Sequence, residues 1–183
     1  MGNKGNKGNK GSKINKGNKG SKGNEGNEGN KGNIEINFDN GDRYIGGIVN
    51  GKKNGKGTYF FKDGSTYVGE YKNDVKEGKG KYFFASGNKY DGDFKNDTMN
   101  GKGTFFFAGG NKDDLLGGGW YIGNFVDGNF EGFGMLSLKK YIYSGYFKGG
   151  KKNGYGKLTD PDGTITEGEW VNDEFIDNSK PDS

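Results

Sequence analysis

The chain has 183 residues, with 40 Gly, 2 Pro, 14 Phe, 11 Tyr, 2 Trp and neither Cys nor His. Lacking the last two, it has no thiol nucleophile, no imidazole base and no zinc or haem site of the usual ligand types. Leu, Ile, Val and Phe together number 33, few enough for a disordered chain, yet the net charge is only +4 and aromatics make up 15%, too many for a solvated coil.

The conflict is resolved along the chain. Residues 1–33 hold 8 Lys, 2 Glu, 10 Gly and no aromatic, a charge of +6 that leaves −2 of the total for the rest. Gly recurs at every third place from Gly2 to Gly32, except at Ile14. Collagen needs that spacing but also leans on Pro and hydroxyproline, which are missing here. The tract resembles the proline-poor collagen-like segments of some large DNA viruses, and its composition favours a disordered tether over a triple helix. Because the basic charge belongs to this tether, a nucleic-acid surface on the folded part loses its support. Met1-Gly2 opens like a myristoylation signal, but Asn6 stands where Ser or Thr is wanted, so Gly2 reads as the first triplet Gly. No apolar run reaches the length of a signal peptide or membrane span, and with zero Cys the expectation is a soluble, intracellular, cytoplasmic protein.

From Phe38 onward a longer period takes over. Tyr44-x-Gly46, Tyr67-x-Gly69, Tyr90-x-Gly92, Tyr121-x-Gly123 and Tyr143-x-Gly145 form one series, which Thr166-x-Gly168 continues. The spacing is 23 residues or close to it, apart from one longer step that implies an insertion near 109–117. Eleven residues after each Tyr comes Gly-x-Gly, at Gly55/Gly57, Gly78/Gly80, Gly101/Gly103, Gly132/Gly134 and Gly154/Gly156. Alternation of Tyr67, Gly69 and Tyr71, and again of Gly78, Gly80, Tyr82 and Phe84, puts each set on one face of a strand. Polar turn formers separate the two sets, so each unit reads as a β-hairpin. Asp63-Gly64 and Asp162-Gly163 mark junctions between units. A helix is excluded because glycines this dense each cost about 1 kcal/mol against Ala. In a strand, Gly clears room for a ring to lie flat on the backbone.

These residues carry a resemblance. Tyr-x-Gly followed by an aromatic at Tyr71, Phe94, Phe125, Phe147 and Trp170 (Ile48 in the first unit), then Gly-x-Gly, is similar to the MORN repeat, with five full units and a partial sixth over about residues 41–177. The resemblance implies an all-β fold: an elongated, twisted, single-layer antiparallel meander of hairpins. Five hairpins and a closing strand make eleven strands and a ribbon on the order of 50 Å. It also implies a non-enzymatic scaffold for protein association, self-association included, at cytoskeletal, ciliary or membrane-associated structures. The expected division is a tail at 1–33, the array at 34–178 and a short end at 179–183.

Catalytic, cofactor and metal sites are not expected. Gly55-Lys56-Gly57-Thr58 and Gly101-Lys102-Gly103-Thr104 miss the phosphate-loop pattern, since a Gly separates Lys from Thr and a strand follows. Asp39–Asp42 and Asp160–Gly163 lack the ligand periodicity of a calcium loop. Glu70, Asp93 and Glu169 fall on the face opposite the tyrosines, where solvated carboxylates are ordinary. Neither a nucleic-acid partner nor a small-molecule substrate is indicated. That same opposite face should carry an apolar stripe of Ile45, Phe60, Val68, Phe83 and Phe106, fading where Ser137 and Thr159 take the ring position. An exposed stripe suits an unidentified protein partner or a second copy. The alternative is a peripheral phospholipid binder aided by the basic tether, each charge near an anionic surface adding about 1 kcal/mol.

Overall fold

The computed structural model describes residues 33–109 and 118–177. The triplet tail up to residue 32, Gly2 included, residues 110–117 of the expected insertion, and the chain from 178 lie outside them.

Among the described residues thirteen strands follow in chain order: β1 (Ile34–Asn37), β2 (Arg43–Val49), β3 (Lys52–Phe60), β4 (Thr66–Lys72), β5 (Val75–Phe83), β6 (Lys89–Lys95), β7 (Thr98–Phe106), β8 (Trp120–Val126), β9 (Asn129–Ser137), β10 (Ile142–Lys148), β11 (Lys151–Thr159), β12 (Ile165–Val171) and β13 (Glu174–Phe175). They make one open antiparallel sheet in which each strand pairs with its neighbours in sequence. Among the described residues there is no helix. The sheet has two strands more than the repeat count implies. Both additions, β1 and β13, lie at the ends and carry neither Tyr-x-Gly nor Gly-x-Gly, so the spacing could not announce them.

Within each repeat the first strand of the hairpin joins the second through two residues that both have positive φ. These are Asn50-Gly51, Asn73-Asp74, Asn96-Asp97, Asp127-Gly128, Gly149-Gly150 and, at the end, Asn172-Asp173. This is the turn geometry whose twist matches paired strands, and Asn, Asp and Gly tolerate it best. Asp63-Gly64 belongs to the other kind of connection, between repeats. There the Phe61 and Gly64 amides donate to the Ser65 and Phe61 carbonyls, both at 3.0 Å. Successive hairpin turns are also stitched together. The Asp74 amide donates to the Lys53 carbonyl at 3.0 Å, and the Lys53 amide donates back to the Asp74 carboxylate at 2.8 Å. The same pair of bonds recurs between Lys76 and Asp97 and between Lys152 and Asp173.

One face of the sheet is a ribbon of rings on glycine. Tyr44, Tyr67, Tyr90, Tyr121 and Tyr143 are completely buried. Each lies over the Gly of its own strand and the second Gly of the next Gly-x-Gly, so that a Cβ on Gly69 or Gly80 would run into the Tyr67 ring. The first Gly of each Gly-x-Gly has a different duty. Gly55, Gly78, Gly101, Gly132 and Gly154 take φ between 66 and 102°, a left-handed conformation that costs other residues about 1–2 kcal/mol. Each tyrosine hydroxyl donates three residues ahead, as from Tyr67 to the Glu70 carbonyl at 3.0 Å and from Tyr90 to that of Asp93 at 2.9 Å. Tyr71, Phe94, Phe125 and Phe147 stand edge-on between successive tyrosines, for example Phe94 at 5.2 Å from Tyr90 and 4.9 Å from Tyr67, and Trp170 stands edge-on between Tyr143 and Phe175. Each buried ring contributes roughly 1.5–3 kcal/mol, and edge-to-face pairing adds about 0.5–1.5. Burial of aromatic surface against backbone thus replaces a second layer.

Candidate interaction face

Strand alternation sends the other residues to the opposite, outer face, where three rows run across the strands. One row passes from Phe60 through Thr66, Phe83, Lys89 and Phe106 to Trp120, then on to Ser137, Ile142, Thr159 and Ile165. The next holds Ile45, Thr58, Val68, Lys81, Asp91, Thr104, Ile122 and Met135. A third contains the residue between the two glycines of each Gly-x-Gly and its partner on the following strand: Lys56 with Glu70, Lys79 with Asp93, Lys102 with Asn124, and Tyr155 with Glu169. In the fourth repeat that residue is Phe133, opposite Tyr146. Between the second and third rows the glycine backbones floor a shallow open groove. Its first part, about 460 Å³, lies between Ile45 and Val68 on one side and Lys56, Glu70 and Lys79 on the other. A further 430 Å³ continues past Lys102 to Ile122 and Phe133.

All five residues of the expected stripe lie on this face, but in two rows and not as one continuous band. Phe60, Phe83 and Phe106 alternate with polar residues in the first row, and Ile45 and Val68 flank Thr58 in the second. Val68, Phe83 and Phe106 are exposed, whereas Ile45 and Phe60 are half-buried. Cations sit over the rings, Arg43 at 4.3 Å from the centre of Phe60 and Lys89 at 5.0 Å from that of Phe106. Around them the acids are paired: Lys79 with Asp93 at 2.6 Å, Lys81 with Asp91 at 3.1 Å. Glu70 and Glu169 are exposed on the same face. Among the described residues no group of three or more Asp or Glu side chains is placed to hold a metal ion.

Sequence reasoning missed the more apolar end. Where the stripe was expected to fade, Ile122, Phe133, Met135, Ile142, Tyr146 and Tyr155 are exposed, Phe133 to 57%. Phe133 and Tyr146 meet edge-on at 5.6 Å. The signal was available in the residue inside Gly-x-Gly, which is Lys in the first three repeats and Phe133 or Tyr155 in the next two.

A profile of the MORN repeat matches five segments, 44–66, 67–89, 90–112, 121–140 and 143–165. The chain belongs to the MORN repeat family. Members of this family commonly use the repeat as a non-catalytic scaffold that binds proteins or membranes. Among curated proteins the chain has no match. In this MORN array the repeat-defining Tyr and Gly residues build the inner face, whereas the candidate binding residues are carried at positions the repeat leaves free.

Proposed function

We propose that this MORN protein is a non-enzymatic scaffold that holds a partner protein across the outer face of its sheet. The supporting observation is the exposed cluster of Ile122, Phe133, Met135, Tyr146 and Tyr155, which no other part of the described chain covers. Large contiguous apolar surface is unusual on a solvent-facing sheet and is typical of docking sites, with aromatics as the strongest anchors. The ion-paired groove of the first three repeats continues from this cluster and supplies charge for choosing among partners. Phe60, Phe83 and Phe106 extend the same surface along its margin. The lack of Cys is in keeping with an intracellular setting.

The test compares two double variants, Phe133→Ser/Tyr146→Ser and Phe83→Ser/Phe106→Ser, with wild type in affinity capture from cells that express the protein. Both should melt with the wild type, because the replaced rings are exposed. The first should lose the specifically captured proteins and the second should lose fewer. If both retain every captured protein, the outer face has no binding role. Flotation with phosphatidylserine vesicles, with and without residues 1–33, addresses lipid. The protein reading expects no flotation in either form, and flotation that survives removal of the tail would replace it with a lipid-binding face.

A further inference from the structure

The two ends of the sheet are complementary fragments of one hairpin. β1 pairs with β2 as Ile34↔Gly46, Ile36↔Tyr44 and Asn37↔Arg43. In the same register β3 meets β4, as Gly57↔Gly69, Tyr59↔Tyr67 and Phe60↔Thr66. Ile34–Asn37 therefore correspond to the last four residues of a nine-residue strand such as β3, and among the described residues no strand precedes them. The turn after β1 agrees, because the Phe38 amide donates to the Asp42 carbonyl at 2.9 Å as the Phe61 amide does to that of Ser65.

At the far end β12 has its full seven residues, but β13 covers only Trp170 and Val171, with the Ile176 amide reaching the Glu169 carbonyl at 2.9 Å. Counted from the Asn172-Asp173 turn, Glu174 and Phe175 correspond to Lys52 and Lys53, the first two positions of the same nine-residue strand. Ile165 to Gly168 pair with β11 on one side, and among the described residues nothing pairs with them on the other. One end supplies the beginning of a strand and the other supplies its last four residues.

We infer that the protein joins end to end with a second copy of itself, β1 of one copy adding to the open half of β12 of the other. Continuing the register of β2 and β3 places Ile34 opposite Gly168, Glu35 opposite Glu167, Ile36 opposite Thr166 and Asn37 opposite Ile165. Glu174–Ile176 of one copy and Ile34–Asn37 of the next then run in line and in the same direction, completing one strand from two chains. The chains cross over at the position where complete repeats have their bulge, at Gly55.

Two departures from the repeat fit each other in this arrangement. In every complete repeat the first-strand Tyr lies over the second Gly of the next strand, which is why that Gly can carry no side chain. At the joint both partners change together. Thr166 replaces the Tyr, so that the Phe175 ring, 3.1 Å from where a Cβ on Gly168 would stand, is what covers that glycine; Ile34 replaces the Gly, and its side chain enters beside Thr166 as Phe175 turns to the place that Phe130 holds against Tyr121. Main-chain pairing by strand addition supplies the remaining affinity. Against it stands Glu35 opposite Glu167, a like-charge pair that weakens a sheet, although each has a partner of its own, Arg43 at 3.2 Å and the Tyr155 hydroxyl at 3.1 Å. The joint is therefore reversible and concentration-dependent. The two ends lie on the order of 50–60 Å apart at ordinary strand spacing, so a chain cannot satisfy its own ends. A head-to-tail contact of this kind grows into linear oligomers. It uses the edges of the sheet and is independent of partner binding on the outer face.

The experiment is sedimentation velocity on the full chain over a wide concentration range. Wild type is expected to pass from monomer to species larger than a dimer as concentration rises. Thr166→Tyr puts a ring where Ile34 must enter, and should require at least tenfold higher concentration for the same association. It should leave the melting temperature unimpaired, because Tyr121 already shows how a repeat tyrosine stacks on the Phe at the position of Phe175, with Phe130 at 3.8 Å. Thr166→Tyr/Ile34→Gly restores the ordinary Tyr-on-Gly pair across the joint and should recover association. Wild type that stays monomeric, or association that Thr166→Tyr does not weaken, overturns the inference. So does a double variant no better than Thr166→Tyr. Phe133→Ser/Tyr146→Ser, which alters only the outer face, should associate like wild type.

Discussion

The first three repeats and the fourth and fifth share one inner face but differ on the outer. Inside, Tyr67 and Tyr143 are both fully buried and both donate to the carbonyl three residues ahead, at 3.0 and 3.2 Å. This persists even though Leu136 and Leu158 take positions held by Tyr82 and Phe105 earlier in the array. Outside, Lys79 pairs with Asp93, whereas its counterpart Phe133 packs against Tyr146. The contrast separates two demands on the sequence. A Tyr that must lie on two glycines tolerates almost no change, whereas an outer position faces only solvent or a partner and is free to differ from repeat to repeat.

The largest expected effect tests the shared half of the comparison. Tyr67→Ala and Tyr143→Ala should each cost about 3–5 kcal/mol, measured by urea unfolding. A cost in the last repeats of less than half that in the first would show that the inner face is not uniform. Next in size is alkaline sensitivity. Burial raises the Tyr44, Tyr121 and Tyr143 hydroxyls from 10 to about 12. Their folded-state values exceed the unfolded one, so their contribution is intact below pH 10 and is lost as pH rises through about 12. With Tyr44 in the first repeat and Tyr143 in the fifth, tyrosine absorbance should report both ends losing structure in that one window, and ends that titrate separately would break the equivalence. The smallest effect belongs to the outer face. Lys79→Ala removes an ion pair whose lysine is 70% exposed and should change stability by less than about 1 kcal/mol, well below either Tyr change in the same urea assay.

Much of the inner face was legible because its cause is local. Tyr67, Gly69 and Gly80 recur at fixed offsets, since ring and backbone must meet in every repeat. The hairpin turns were legible as turns, but Asn73-Asp74 does not announce its conformation as Asn50-Gly51 does. The outer cluster was harder to foresee. Ile122, Phe133 and Tyr146 lie on three different strands at unequal offsets, and only the pairing register shows that they are neighbours. β1 and β13 were unreadable for a related reason, being fragments too short to contain the residues that mark a repeat.

The order of the strands in the sheet is also the order of their synthesis. Each strand finds its partner within the preceding dozen or so residues, apart from the one longer step at the insertion, so contact order is low and no strand waits for a distant one. A ribosome adding about 5–20 residues per second would deliver a new repeat every few seconds to an edge already formed. The ribbon thus assembles as it emerges, growing at the margin most recently made while the edge of β1 at its start stays open.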